Sequence, residues 1–250
     1  VRYWQWPYWD KDSVYFVSNT RLRGSNYLRG RAYYDTYDNA LYSYDDETYT
    51  TQAKPSSFRS LYHDYTAGGS MEWGTTLGRQ TLRAAGHVKL DYHQDHNLGE
   101  PVKQFDGRIV SVGVEDTIVL GPTVSLVAGL SADWQATTKA IDFQKGQVID
   151  LLKQCQADGT GCGDSNGVNP QAGLFYSTSA GLLRFTTAAK TRMPSLKDRY
   201  SYKLGLAVPN PDLQAEHNVN IEGGWQGAIG KKTSLQASIF YSRIYDLIQR

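Results

Sequence analysis

The segment from Gly121 to Thr137 most constrains the fold, because its apolar residues occupy every second position. The alternation runs from Val124 to Ala136, with threonine, serine, glycine, aspartate and glutamine in between. Side chains of a strand alternate between two faces with this period, whereas helical side chains repeat every 3.6 residues. The stretch from Val110 to Leu120 alternates in the same way, and a Gly-Pro turn separates the two runs. The sequence therefore predicts a β-hairpin with one apolar and one polar face.

The same period returns along most of the chain and predicts about ten strands. The connections alternate between short turns, near residues 24, 79, 121, 180 and 230, and long polar loops, near residues 53, 100, 155 and 205. The predicted long loops span Asp45 to His63, His96 to Phe105, Ile141 to Asn169 and Thr191 to His217. Short turns at one rim and long loops at the other are typical of an outer-membrane barrel.

Composition agrees with strands that face lipid. The chain has 18 Tyr and 6 Trp, yet only 40% of its residues are hydrophobic and no apolar run has the roughly 20 residues of a transmembrane helix. The net charge of +1 argues against a nucleic-acid partner. We therefore predict an all-β protein, a transmembrane antiparallel up-and-down β-barrel. On this interpretation lipid contacts Trp73, Leu82, Val88, Val124, Leu126 and Leu130, and the polar face lines the lumen. A soluble β-sandwich or propeller, with the apolar face in a protein core, is the structural alternative.

Two motifs in the last long loop resemble a known family. The run TRMPSLKDRY at residues 191–200 and the run NPDLQAE at residues 210–216 are similar to the paired barrel signature of TonB-dependent outer-membrane receptors. Thr191, Met193 and Ala215 depart from the usual aromatic residue, alanine and proline. The positions that match the signature are Arg192, Pro194, Ser195, Leu196, Tyr200, Asn210, Pro211, Leu213 and Glu216.

The resemblance implies a siderophore-receptor-like transporter of the Gram-negative outer membrane. Members of the family have a plug domain inside a barrel of roughly 22 strands, and they take energy from the TonB complex. No plug or coupling segment is recognisable in this sequence, so residues 1–250 are expected to form part of the barrel, without the plug. The implied partners are outer-membrane lipid, TonB and a ferric siderophore or another scarce nutrient. The resemblance implies neither a cofactor nor catalysis.

Candidate ligand contacts are loop aromatics and lumen-facing cations, because anionic iron chelates favour arginine and aromatic surfaces. By residue type and position these are Arg29, Arg31, Tyr49, Arg59 and Tyr62.

Two other clusters have alternative interpretations. Asp91, His93 and Asp95 share one polar strand face with His87 and Lys89, which suggests an omptin-like protease as the enzyme alternative. Neighbours on one strand face lie about 6.6 Å apart, too far to close a tetrahedral metal site by themselves, and a solvated lumen wall explains the same residues. The acidic run from Asp45 to Glu47 has ligands for a divalent cation, but a solvated charge run explains it better. No metal site is predicted.

Cys155 and Cys162 are the only cysteines, and both lie in the third long loop. In an oxidising compartment, two cysteines this close together predict a local disulfide.

Three function classes follow. The first is TonB-dependent active transport. The second is a small autonomous outer-membrane barrel, either a porin or the protease considered above. The third is a soluble β-rich ligand-binding module.

Overall fold

A computed structural model describes residues 2–157, 162–201, 208–230 and 232–249, so Lys231, in the predicted fifth turn, lies outside it. The described residues form one twelve-stranded antiparallel sheet and two short helices. The strands are β1 (Tyr3–Gln5), β2 (Trp9–Arg21), β3 (Tyr27–Tyr44), β4 (Phe58–Leu77), β5 (Gln80–Asn97), β6 (Lys103–Val119), β7 (Val124–Gln144), β8 (Gln147–Asp150), β9 (Asp164–Thr178), β10 (Gly181–Arg192), β11 (Glu216–Ile229) and β12 (Thr233–Tyr245). The helices are α1 (Leu151–Ala157) and α2 (Leu196–Tyr200).

The topology is an up-and-down meander, as the sequence predicts. Each long strand pairs with the previous long strand, while β1 and β2 both pair with β3 and the short β8 pairs with the end of β7. Ten strands have 12 to 21 residues, in agreement with the predicted number. In the described part of the chain β2 and β12 do not pair with each other, so the sheet is an open arc.

The two faces of the sheet differ in chemistry. Along β9, buried Ser165, Gly167 and Asn169 alternate with exposed Asn166 and Val168. The pairing of neighbouring strands places apolar residues side by side on one face. Trp134 is opposite Val110, and Val110 is opposite Val88. The six residues predicted to contact lipid all lie on this apolar face, which we call the outer face. The polar face is called the lumen face.

The strands are longer than predicted, and several predicted loops are correspondingly shorter. β4 begins at Phe58 rather than after His63, β5 and β6 leave only residues 98–102 between them, and β9 begins at Asp164. The predicted loop from Ile141 also contains β8 and α1, and the last long loop contains α2. The hydrophobic alternation ends where the outer face leaves lipid, whereas the backbone hydrogen-bond ladder continues beyond that level. Periodicity alone therefore underestimates the length of the strands.

Outer-face aromatic residues mark the membrane boundaries. The ring of Tyr65 stacks on those of Tyr34 and Tyr92, with centroid separations of 5.9 and 4.4 Å. Trp73 lies on the same face of β4, eight residues (73 − 65) nearer the short turns. At 3.3 Å per residue this spacing is roughly 26 Å along the strand. A strand tilt of about 35–45° reduces it to roughly 20 Å of height, within the band about 25 Å tall that aromatic girdles flank in outer-membrane barrels. The long loops and the adjoining strand ends therefore lie outside the membrane.

A small hydrophobic core lies at the long-loop rim, where both helices approach the sheet. It consists of Phe105, Ala140, Leu151 and Tyr200, with Ile149, Leu152 and Leu196 packed around it. Among the described residues, neither helix has the length and hydropathy needed to cross a membrane.

Candidate functional site

The lumen face near the short turns carries a belt of linked polar side chains. Glu72 on β4 accepts hydrogen bonds from Tyr27 (2.7 Å) and from Arg29 (3.4 Å). On the next strands, Glu115 accepts from Arg83 at 2.7 Å and from Gln171 at 3.0 Å. The belt spans β3 to β9 with alternating charge, and it borders a shallow cavity of about 330 Å³. Such a surface offers both donors and acceptors to water or to a polar solute.

Glycines on the lumen face allow tyrosines to lie flat against the sheet. A Cβ atom added at Gly68 would lie 2.7 Å from the carbonyl oxygen of Val88, and it would also overlap the ring of Tyr33. The Tyr33 hydroxyl is in turn 3.2 Å from Nε2 of His87, and the guanidinium of Arg31 lies 5.2 Å from the centre of the Tyr33 ring.

Nearer the long loops, His93 is the centre of an ionic cluster. Its Nδ1 contacts the Asp64 carboxylate, and its Nε2 lies 3.6 Å from Asp95. Asp95 also forms an ion pair of 2.6 Å with Lys103. The His93 ring lies between those of Tyr62 and Phe105, at centroid distances of 6.4 and 6.1 Å. The carboxylates around His93 are thus engaged in ion pairs.

The catalytic interpretation of Asp91, His93 and Asp95 has little support in this geometry. Asp91 accepts a hydrogen bond from Thr66 at 2.9 Å and pairs with Lys89 at 2.9 Å. His93 instead contacts Asp64 and Asp95. The three residues therefore belong to two separate ion-pair groups on the lumen wall.

The matched motif residues hold one segment of the last long loop against the lumen wall. We call residues 193–201 and 208–215 the motif segment. Ser195 caps α2, because its hydroxyl accepts from the Asp198 amide while the Asp198 carboxylate accepts from the Ser195 amide. The buried Pro194 offers its carbonyl to the Gln135 side chain on β7 at 2.7 Å. Arg192, in turn, pairs with Glu216 at 3.3 Å.

The remaining motif residues connect the two parts of the segment to each other and to the lumen wall. The Asn210 amide donates to the Arg199 carbonyl at 2.7 Å, and the Pro211 carbonyl accepts from the Gly163 amide at 3.0 Å. Leu196 packs against the hydrophobic core, and the Tyr200 ring stacks on that of Phe105 at 5.1 Å. These contacts give the motif a structural role at the long-loop rim.

Arg199 is the central anchor of the motif segment, and sequence reasoning missed it. Its side chain is 1% exposed and donates to the carbonyl of Gly163, the hydroxyl of Ser165 (2.6 Å) and the carbonyl of Leu213 (3.2 Å). It also donates to Thr137 at 3.3 Å, and burial lowers the pKa of the guanidinium. An arginine between two charged residues and a tyrosine shows no sequence signal of burial.

The structure separates the five predicted ligand contacts into three locations. Arg29, Arg31 and Tyr62 lie on the lumen face, although Tyr62 belongs to β4 rather than to a loop. Tyr49 lies in the loop of residues 45–57, with ring centroids 6.4 Å from Tyr3 and 5.5 Å from Tyr44.

Arg59 differs from these residues. It pairs with Tyr42 in the register, lies 5.3 Å from the centre of that ring, and donates to Gln52 at 2.6 Å. Arg59 and Tyr65 are an even number of residues apart in β4, so their side chains lie on the same face. Arg59 therefore lies on the outer face, not on the lumen face as expected.

The acidic run organises its own loop. Asp45 accepts from the Ser57 hydroxyl at 2.5 Å and from the Ala53 and Lys54 amides at 2.7 and 3.0 Å. These hydrogen bonds, led by that of Ser57, hold the pKa of the Asp45 carboxyl well below its usual range. Thr48 likewise lowers the pKa of Asp46 by hydrogen bonding. Over the described ranges, no group of three or more His, Cys, Asp or Glu side chains is arranged to hold a metal ion.

A disulfide joins Cys155, in α1, to Cys162, just before β9, with a Cα–Cα distance of 5.9 Å. It links the helix to the start of the strand at the long-loop rim.

The comparison with protein families shows to which family the barrel belongs. A family model described as the β-barrel of TonB dependent receptor-like proteins matches residues 1–250. The chain belongs to this family. The recognition from the two motifs is thereby confirmed, as is the fold class. Receptors of this family are β-barrels of the Gram-negative outer membrane, so the predicted location is confirmed as well.

Solved structures agree on the fold. The copper transporter OprC superimposes with a TM-score of 0.76 at 14% identity, over 97% of this chain and 40% of that one. The FrpB iron transporter from Neisseria meningitidis (F3-3 variant) gives 0.65 at 14% identity, over 94% and 36%. The ferric citrate transporter FecA, in its unliganded form, gives 0.63 at 11% identity, over 97% and 36%. The chain thus spans about two fifths of the length of these structures. No curated protein is significantly similar to the chain in sequence.

Proposed function

We propose that the chain forms part of the wall and outer vestibule of a transporter that carries a ferric siderophore or a similar metal chelate across the outer membrane. The observation that carries this proposal is the continuous polar lumen face on a barrel of this family. The similar structures are named as transporters of copper, iron and ferric citrate. A metal-containing cargo is the common element in those names. In this proposal the wall positions the cargo and performs no chemistry on it.

The proposed energy source is the TonB complex, acting through a plug domain inside the closed barrel. The residues described here would supply ten long strands of that barrel, and further strands would close the arc between β2 and β12. This proposal distinguishes the protein from a porin, whose permeation requires no coupling to TonB.

The proposed ligand contacts on the lumen face are Arg29, Arg31 and Tyr62, with Tyr49 contributing from the loop. The Arg29 side chain is 57% exposed although it pairs with Glu72, so most of its donors remain accessible. Arginine donors match the carboxylate and catecholate oxygens of anionic iron chelates, and stacking on tyrosine orients the guanidinium.

Uptake measurements test the function. Cells in which this protein is the only route for a panel of labelled ferric chelates should accumulate one class of chelate. Deletion of TonB should abolish accumulation while surface binding persists. Equal uptake with and without TonB would contradict active transport and favour a porin.

Arginine variants test the ligand contacts. Arg31→Gln should weaken chelate binding to cells about ten-fold, the value of one hydrogen bond to a charged group. Arg59→Gln removes the same charge from the outer face and serves as the matched control, with binding expected to stay unchanged. Equal losses in the two variants would contradict the assignment of the lumen face as the binding surface.

A further inference from the structure

Gly163, which directly follows Cys162 in the chain, is the residue where the motif segment meets the wall. Its carbonyl accepts hydrogen bonds from the Thr137 amide at 2.9 Å, from the Thr137 hydroxyl at 3.1 Å and from the buried guanidinium of Arg199. Its amide donates to the Pro211 carbonyl at 3.0 Å. Both parts of the motif segment, which contain Arg199 and Pro211, therefore depend on the position of this one residue.

Gly163 is also packed closely against the helix α1. Its φ of +75° lies in the left-handed region that favours glycine. A Cβ atom at this position would lie 2.7 Å from the Cβ of Thr137 and 3.2 Å from the Cδ2 of Leu152, so there is no room for a side chain. Leu151, the neighbour of Leu152 in the helix, belongs to the hydrophobic core that also contains Tyr200. The helix therefore packs against both Gly163 and the motif segment.

The helix α1 is too short to be stable by itself. It has seven residues, whereas isolated helices shorter than about 12 residues are marginal in water. The Asp150 carboxylate caps its first turn by accepting from the Lys153 amide at 3.2 Å. Its second half is exposed at Gln154, Gln156 and Ala157. The disulfide ties Cys155, in this second half, to Cys162, the residue next to Gly163. The bond therefore connects the stability of the helix to the position of Gly163.

We propose that this disulfide is a redox-sensitive latch for the motif segment. With the bond formed, α1 stays packed against Gly163 and the motif segment is held on the lumen wall. A small dithiol in the external medium reduces the bond and releases the second half of α1, so the contacts of Gly163 with Arg199 and Pro211 open more often. The protein disulfide takes up two electrons and two protons to give two thiols, and the dithiol is oxidised to its own disulfide. Both cysteines are half-buried at the long-loop rim. The latch acts on the wall itself, so it is independent of the proposed cargo.

Hydrogen exchange of the protein purified from outer membranes in detergent tests the proposal. Samples are treated with dithiothreitol or with its oxidised form, and alkylation followed by mass spectrometry verifies the state of the two cysteines. Reduction should lower the protection factors of α1 by about fifty-fold, the loop-closure effect for a sequence separation of 7. The protection factors of α2 should fall about ten-fold, the value of one hydrogen bond to a charged group. Those of residues 45–57 should not change.

The double variant Cys155→Ser, Cys162→Ser should exchange like the reduced wild type and should not respond to dithiothreitol. Gln154→Ser is the matched control, since it changes an exposed residue of the same helix and leaves the bond intact. It should exchange like the oxidised wild type, and the shift in mobility between unboiled and boiled gel samples shows that each variant is folded. Unchanged protection of α2 after verified reduction would overturn the proposal, as would a bond that dithiothreitol does not reduce in the folded protein. An equal loss in residues 45–57 would also overturn it, because the whole rim would then have loosened.

Discussion

Two segments at the long-loop rim are held in opposite ways. The motif segment is anchored to other parts of the wall. Its Arg199 is almost completely buried and donates hydrogen bonds to residues of β7, of β9 and of the stretch before β9. The loop of residues 45–57 is anchored locally, because the half-buried Asp45 accepts hydrogen bonds from donors of the same loop, 8 to 12 residues along the chain. Gln52 also donates to the carbonyls of Ser43 and Phe58 at the adjoining strand ends. The first segment therefore behaves as part of the wall. The second is held by its own residues and by the ends of the two strands that it joins.

Arg199→Met should produce the largest difference in local stability between the two segments. The variant loses every hydrogen bond of the guanidinium and leaves the carbonyls of Gly163 and Leu213 without this donor. The expected cost is about 3 kcal/mol for the motif segment, in the range for breaking a buried charged interaction. Hydrogen exchange should show lost protection in α2, with the loop of residues 45–57 unchanged. Lys197→Met removes the same charge from an exposed position of the same helix, so it is the matched control and should have a much smaller effect.

Ser195→Ala should have an intermediate effect confined to α2. The substitution removes one half of the capping box and is expected to destabilise the helix by about 1 kcal/mol. Faster amide exchange at residues 198–200 would show this, whereas Lys197→Ala in the same helix should change little. Undiminished protection in Ser195→Ala would indicate that tertiary contacts alone hold the helix.

Asp45→Asn should have the smallest effect, limited to its own loop. The pKa of Asp45 is lower in the folded loop than in the unfolded chain, so the carboxylate stabilises the loop at pH values above its ordinary pKa of about 3.9. That contribution is lost as the pH falls through the lower folded pKa. The protection factors of residues 46–54, which are corrected for the intrinsic exchange rate at each pH, should therefore fall on acidification in the wild type, but less in Asp45→Asn. A parallel change in α2 would contradict the independence of the two segments.

Much of the fold could be predicted, because a strand between lipid and water must alternate. The segment from Val124 to Thr137 indicated both a strand and the chemistry of its two faces, and the loop lengths indicated the rims. The strand ends could not be predicted in this way, because Phe58 to His63 lies above the lipid and no longer needs an apolar outer side.

The candidate site was only partly predictable. The alternation of side chains along the strand indicated that Arg29 and Arg31 face the lumen. The same alternation puts Arg59 on the outer face, but only if β4 is known to begin at Phe58.

The sequence by itself determined the class of protein, the two-faced strands and the family, since periodicity and motif letters are local properties of the chain. Tertiary structure alone decided what the motif does. Arg199 becomes an anchor only because β7, β9 and the motif segment meet around it, with acceptors up to 62 residues away along the chain. Burial and hydrogen-bond partners at that separation arise from the register of the sheet, which the order of residues does not display.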